Sequence, residues 1–194
     1  MAITYPLDTP TTIGIEQIEI RAVNATKTSQ SPFSYKQQVV SHTGQRWEAT
    51  VNIPSVRRGH AASWAAMLVA LKGTEGTFLL GDPDYVEPRG TVSSVTVTGN
   101  IRDETVSVVM TGSLLAGDYI QLGSGASARL HKVLVDQEGD GSLEIWPSLR
   151  ASYLDEAAVY TSPKGVFRLS QNVTTWAINS SSVYGISFEA VEAL

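Results

Sequence analysis

The amino-acid sequence predicts a mainly β protein with one α-helix, in which a small β-barrel interrupts a larger sheet-plus-helix domain. Residues 55–73 carry apolar side chains at three- and four-residue spacing, which predicts one amphipathic helix. Residues 91–147 hold short β-segments separated by glycine-rich turns, which is typical of a small barrel or sandwich. Two breaks, Pro88-Arg89-Gly90 and Pro163-Lys164-Gly165, indicate where this series enters and leaves the larger domain.

The predicted helix is flanked by two strands. Residues 47–53 alternate apolar and polar side chains, as a half-buried strand does. Pro54 is expected to end that strand because it has no N–H to donate, and Ser55 is expected to cap the helix. Gly73 supplies a left-handed residue to close the helix, and residues 77–80 then form a strand. The helix buries one apolar stripe, formed by Ala61, Trp64, Ala65, Leu68 and Leu71.

The first part of the chain is predicted to form an extended arm and an antiparallel hairpin. Residues 1–12 form the arm, and residues 13–21 form a strand with a bulge. Residues 22–32 are polar and form either a long hairpin connection or a mobile arm. A second strand is expected over residues 33–41, with a tight turn at residues 42–45. The candidates for burial in the first strand are Ile13, Ile15, Ile18 and Ile20.

The C-terminal part returns to longer strands, at residues 166–169, 174–178 and 184–191. Residues 1–87 contain too few strands to close a core alone, and residues 163–194 have no helix to pack on. The sequence therefore predicts one discontinuous domain of residues 1–87 and 163–194, with residues 88–162 inserted as a β-barrel.

Composition excludes several classes of function. The chain has 194 residues and a net charge of −5, which argues against nucleic acid as the main partner because phosphate binding needs a concentrated basic surface. There is no cysteine, which rules out disulfides, thiol chemistry and zinc–thiolate sites. No apolar run approaches the roughly 20 residues that span a bilayer, and the first residues do not resemble a secretory signal. We expect a soluble protein, made in the cytoplasm, that does not insert into membranes.

No pattern for catalysis, metal binding or cofactor binding is found. Residues 136–141 resemble the start of a calcium loop, but Pro147 occupies the position that needs a bidentate acid, so a hairpin turn is expected. The three histidines lack metal-ligand spacing, and there is no Gly-x-Ser-x-Gly elbow. The acidic residues at 82–87 are expected to be exposed in a proline-rich turn. We therefore predict neither an enzyme nor a cofactor or metal site.

Three aromatic residues of the inserted segment remain as candidates for binding. Tyr119, Trp146 and Tyr153 could stack on sugar rings, although aromatic residues at such positions more often belong to a core.

Several stretches of the sequence resemble tail proteins of long-tailed bacteriophages. The similarity extends from about Lys36 to the C-terminus, and its motifs are structural rather than chemical. It is carried by WEAT (47–50), RRGHAASWAAMLVALKG (57–73), GTFLLGDP (76–83), AGDYIQL (116–122), LHKV (130–133), IWPSLR (145–150) and YGISFEAVE (184–192).

Among these proteins, the layout looks most like the distal tail proteins of siphovirus-like phages. The resemblance implies a tail-tube-like β-sandwich or split barrel with one helix, interrupted by an oligonucleotide/oligosaccharide-binding-like or galectin-like barrel. It implies a structural virion protein whose hexameric ring joins the tail tube to the baseplate hub at the tail tip. Tail fibres or host-surface glycan are further candidate partners, through the inserted domain.

If the chain forms such a ring, its polar arms are expected to contact neighbouring subunits, because such arms gain order when a neighbour binds them. The expected interface residues are Tyr5, Asn24, Thr26, Lys27, Arg57 and Arg58. Two alternatives remain: a carbohydrate-binding module of the tail tip that uses Tyr119, Trp146 or Tyr153, and another tail component such as a tube or terminator protein.

Overall fold

The computed structural model describes residues 3–194, and it confirms a mainly β protein with a single α-helix in that range. Short strands alternate with turns, apart from one very long hairpin. The elements are β1 (Gln17–Gln30), β2 (Gln37–Arg57), α1 (Arg58–Ala70), β3 (Phe78–Leu80), β4 (Ser94–Gly99), β5 (Thr105–Thr111), β6 (Ser113–Leu114), β7 (Tyr119–Leu122), β8 (Arg129–Val133), β9 (Gln137–Glu138), β10 (Gly141–Trp146), β11 (Tyr153–Ala157), β12 (Gly165–Leu169), β13 (Trp176–Ile178) and β14 (Val183–Glu192).

The strands form two six-stranded sheets. The first has the order β1-β2-β14-β12-β3, with β13 beside β14. The second has the order β11-β4-β5-β10-β8-β7, and β6 pairs with β9 separately. The second sheet curls until its ends meet, because Gln121 and Val159 exchange backbone hydrogen bonds of 2.8 and 2.9 Å. Strands before residue 81 and after residue 164 thus share one sheet, while the domain boundaries themselves stay a prediction.

The helix packs on the first sheet. Its buried residues are Ala61, Trp64, Met67 and Leu68, and the Trp64 ring lies 6.1 Å from that of Phe188 on β14. The predicted stripe is largely correct, although Ala65 is only half-buried. After the helix, Gly73 takes the predicted left-handed conformation, with φ of 70°.

The predicted start of the helix is wrong. β2 runs through Pro54 and Ser55 to Arg57, and Arg57 is the N-cap without a side-chain hydrogen bond. Pro54 is tolerated for two reasons. β1 pairs with β2 only as far as Asn52, and the pairing of β2 with β14 shifts register between Ile53 and Val56. A proline fits at such an irregularity because its missing N–H breaks no regular ladder bond.

The antiparallel hairpin predicted for this part of the chain is confirmed, but the predicted bounds of its strands, loop and turn between residues 13 and 45 are wrong. β1 starts at Gln17 and continues to Gln30, and the chain reverses at residues 31–36, so Phe33 lies in the turn. Residues 42–45 are not a turn but part of β2. They lie where the register shifts, because Asn24 faces Gln45 while Thr26 faces Ser41.

A glycine is required at this irregularity. A Cβ added to Gly44 would lie 2.9 Å from the Cβ of Ala25, closer than such atoms normally approach. The glycine that suggested a turn in the sequence instead allows two strands to approach each other.

The N-terminal segment lies along β3 of its own chain. The Leu7 N–H donates to the Thr77 carbonyl, and the Leu79 N–H donates to the Leu7 carbonyl, both at 2.9 Å. The Tyr5 hydroxyl donates to the Ala70 carbonyl at 2.6 Å. Residues 1 and 2 of the N-terminal arm predicted over residues 1–12 lie outside the described residues. This segment covers the edge of β3 that would otherwise be open.

Candidate functional site: the hairpin arm and the junction at its base

The long hairpin continues past the core as a two-stranded ribbon. We call residues 24–45 the arm. Every residue of the arm is exposed except Ser31 and Gln45, which are half-buried. The residues of β1 from Asn24 to Gln30 are extended and paired with β2, so this part of the ribbon is about 20 Å long. The arm therefore exposes both faces and lies outside the sheet that β14 continues.

The arm carries large apolar side chains that no other residue between 3 and 194 covers. Phe33 is 96% exposed and Tyr35 is 75% exposed, both in the turn at the tip. Val39 and Val40 follow on β2 and are also exposed. Neighbouring residues of a strand point to opposite faces, so this pair places one apolar side chain on each face of the ribbon. Exposed apolar side chains on both faces are typical of a surface that another molecule covers.

The predicted interface residues fall into three separate places. Asn24, Thr26 and Lys27 lie on the arm. Arg57 and Arg58 are exposed at the other end of β2, where the helix begins. Tyr5 is half-buried against the end of the helix. The structure therefore brings together only the three arm residues.

The base of the arm is held by the second sheet. The Trp146 indole N–H donates to Asn24 Oδ1 at 2.8 Å. On the other strand, Gln45 Oε1 accepts from the Ser148 N–H at 2.7 Å, and Gln45 Nε2 donates to Glu104 Oε1 at 2.8 Å. Both strands of the arm are thus anchored just where it leaves the core.

Two of the three proposed sugar-stacking residues meet at this junction. Tyr119 is 6% exposed and packs edge-on against Tyr85, with ring centroids 5.4 Å apart. Lys132 Nζ lies 4.5 Å from the centre of the Tyr119 ring and 3.1 Å from its hydroxyl. Protein groups therefore already occupy the surroundings of Tyr119. Burial raises the pKa of the neighbouring Tyr85 hydroxyl to about 12.

Trp146 is half-buried and packs edge-to-face on Trp47, with ring centroids 4.4 Å apart. It borders an open pocket of about 310 Å³ between the arm and the second sheet. The pocket is lined by Ile20, Ala22, Asn24, Trp47, Tyr119, Lys132, Leu134 and Trp146. Tyr153 is not part of it, because it lies on β11 against the core of the second sheet, where burial raises the pKa of its hydroxyl.

A buried ion pair lies behind the arm. Arg150 follows β10, and Glu192 ends β14. Arg150 Nη2 lies 2.9 Å from Glu192 Oε2, and Arg150 Nε donates to Oε1 at 3.2 Å. The Trp47 N–H donates to Oε2 at 3.1 Å, and Arg150 also donates to the Gln45 carbonyl. One charge pair thus connects both sheets and the base of the arm. No local sequence pattern reveals this pair, because its members are 42 residues apart.

His131 is fully buried close to this pair. Its Nδ1 lies 2.7 Å from the Pro147 carbonyl, which can only accept, so Nδ1 carries the proton. Its Nε2 has no hydrogen-bond partner among residues 3–194. Burial, which is the largest cause, and the nearby positive charges of Arg150 and Arg129 together lower the pKa of His131 to about 4, although the hydrogen bond to Pro147 acts in the opposite direction.

Within residues 3–194, no cluster of three or more His, Asp or Glu residues could hold a metal ion. Two of the three carboxylates of the segment that resembles a calcium loop accept hydrogen bonds from the backbone. Asp136 accepts from the Ala116 N–H at 2.7 Å, and Asp140 accepts from the Met110 N–H at 2.8 Å. In the same described range, no helix is long and apolar enough to cross a bilayer.

Comparison with models of known protein families gives no match, and comparison with curated proteins gives none either.

The ion pair yields a stability prediction. Replacing Arg150 by Met leaves Glu192 buried without its partner, so the free energy of unfolding should fall by about 3–5 kcal/mol. The matched control is Arg46→Met, which removes a half-exposed arginine from Glu48 and should cost about 0–1 kcal/mol. Urea unfolding measures both. Equal losses for the two variants would contradict the structural role assigned to Arg150.

His131 yields a pH prediction. An unfolded histidine takes up a proton as the pH falls through about 6.5, whereas folded His131 resists protonation down to about 4. Its contribution to stability is therefore lost between pH 6.5 and pH 4, by up to about 3 kcal/mol. The difference in unfolding free energy between wild type and His131→Gln should shrink or reverse over that range. The control His60→Gln, at an exposed histidine, should run parallel to wild type, and a parallel His131→Gln curve would contradict the assignment.

Proposed function

We propose that the chain is a structural subunit of a phage tail, a distal tail protein that assembles into a ring between the tail tube and the tip of a long-tailed bacteriophage. In this proposal the work is mechanical rather than catalytic, and the partners are further copies of the chain, the tube protein and the tip hub.

The observation that carries this proposal is the arm. A two-stranded ribbon is at best marginally stable in water without a sheet or helix to pack on. This one has Phe33 and Tyr35 at its tip and valines on both faces, all exposed. Such a ribbon is well suited to become ordered against a neighbouring subunit.

The anchoring of the arm also supports an assembly role. Asn24 and Gln45 fix the base of the arm to the second sheet, so its direction is set before any neighbour binds. A pre-oriented arm loses less conformational entropy on association than a free one. When every subunit presents its arm at the same angle, repeated contacts can close a ring with a fixed number of subunits.

Carbohydrate recognition is the weaker proposal. It would rest on the pocket beside Trp146, whose lining includes Lys132 and Asn24. Tyr119 is covered by protein groups, Tyr153 lies elsewhere, and the Trp146 N–H is already bonded to Asn24. The aromatic residues of this region therefore favour a structural role at the base of the arm.

The proposal predicts self-assembly that depends on the arm. Six copies of the 20.8 kDa chain would weigh about 125 kDa (6 × 20.8), and light scattering over a concentration series should rise toward a defined mass of this order. Replacing residues 27–40 by Asn-Gly joins Thr26 to Ser41, which already face each other, through a favoured two-residue turn. This shortened variant should remain monomeric with an unchanged urea midpoint for the body.

Two point variants sharpen the test. Phe33→Ser should weaken assembly because it removes the most exposed aromatic side chain of the tip. Val109→Thr changes an exposed valine on β5, away from the arm, and should leave assembly unchanged. A wild type that stays monomeric at every concentration, or a shortened variant that assembles like wild type, would contradict the proposal.

A further inference from the structure

The arm differs in charge from the rest of the chain. Residues 24–45 contain Lys27 and Lys36 and no acidic residue, so the arm carries +2, with His42 neutral. Since the whole chain carries −5, the remainder carries −7 (−5 − 2). Neither lysine forms an ion pair among residues 3–194. The arm is therefore a basic projection with exposed apolar groups, on an acidic body.

Four acidic side chains lie at the opposite edge of the same sheet. The strand order places β1 at one edge and β3 at the other. At the β3 edge, Leu7 lies along β3 and brings Asp8 there, and residues 81–88 follow β3 directly with Asp82, Asp84 and Glu87. None of these four acids forms an ion pair within the described part of the chain.

The same edge also offers apolar surface. Val86 is 61% exposed in the midst of the acidic segment. Beside it lies an open pocket of about 270 Å³. The apolar and polar lining includes Thr9, Ile15, Leu79, Leu80, Tyr85, Ser162, Pro163 and Lys164. This edge thus combines acidic groups with apolar ones, as the complement of the arm must.

We propose that the arm of one copy lies against the β3 edge of the next copy, with Lys27 and Lys36 facing the carboxylates of Asp8, Asp82, Asp84 and Glu87. The proposal rests on the proposed function, and it names the surface that receives the arm. Apolar contacts of the arm supply affinity, while the charges select this edge and exclude contact between two arms, which would bring like charges together.

The two surfaces lie on different edges of one sheet, so the contact is head-to-tail. Each copy has one arm to give and one β3 edge to receive a neighbour's arm, and repetition closes a ring when the rotation per copy fits. A two-fold dimer would instead need each arm to reach the partner's β3 edge at the same time.

Zero-length cross-linking tests this contact directly. An equal mixture of unlabelled and ¹⁵N-labelled wild-type protein is treated with a carbodiimide, which joins amines to carboxylates only when they touch. Peptide pairs that carry one label each identify bonds between different copies. We expect mixed-label pairs that join Lys27 or Lys36 to Asp82, Asp84 or Glu87. Mixed-label pairs that join the arm only to carboxylates of the inserted segment, such as Glu138 or Glu144, would overturn the inference and leave the proposed function standing.

Charge reversal gives an independent readout. Two double variants, Lys27→Glu/Lys36→Glu and Asp84→Lys/Glu87→Lys, reverse the charge of one surface each. Each should raise the protein concentration required for assembly at least tenfold. The chain with all four changes should assemble like wild type, because the charges of both surfaces are then exchanged. The matched control Glu138→Lys/Glu144→Lys makes the same change in charge at exposed positions of the inserted segment and should not block assembly.

The outcomes separate the two proposals. Assembly of the two reversed variants at wild-type concentrations, or no rescue in the fourfold variant, overturns the inference about the β3 edge. A wild type that gives neither mixed-label pairs nor a rise in mass contradicts the proposed function itself.

Discussion

The structure depends most on the buried pair of Arg150 and Glu192. Glu192 belongs to the last strand of the first sheet, and Arg150 follows β10 of the second sheet. The carboxylate also accepts the Trp47 N–H, and the guanidinium also donates to the Gln45 carbonyl. A buried pair costs desolvation, and it fixes geometry when its remaining hydrogen bonds are made, as they are here. This pair of charges therefore contributes both to the relative position of the two sheets and to the exit of the arm.

The second sheet consequently holds the base of the arm in position. It supplies Trp146 to one strand of the arm and the backbone of Ser148 to the other. Tyr119 and Leu130 of the second sheet join the core that the helix and the first sheet build. The aromatic residues near the junction are thus used for packing and orientation. In this account, packing and orientation explain the aromatic side chains of the inserted segment without a bound ligand.

The sequence predicted the regular parts and missed the irregular ones. The helix and the C-terminal strands were predictable because they pack on a core. The spacing of apolar residues along these elements reflects that packing. Within the arm the sequence predicts a strand at residues 33–41 but a loop before it and a turn after it, because a ribbon with both faces in water leaves no alternating pattern and Gly44 suggests a turn. The adjacent pair Val39 and Val40 was the available signal. Two of the proposed sugar-stacking residues proved to meet, but no local pattern reveals that Asn24 occupies the Trp146 N–H or that Arg150 reaches Glu192.

The central claim is that the arm is completed by another copy of the chain. Amide hydrogen exchange at several protein concentrations tests it most directly, with the mass measured on the same samples. The account predicts rapid exchange of residues 26–30 and 37–41 in the dilute monomer, and strong protection of these residues as the mass rises, while β14 exchanges equally slowly throughout. Assemblies in which residues 26–30 and 37–41 still exchange rapidly, or a monomer in which they are already protected, would contradict it.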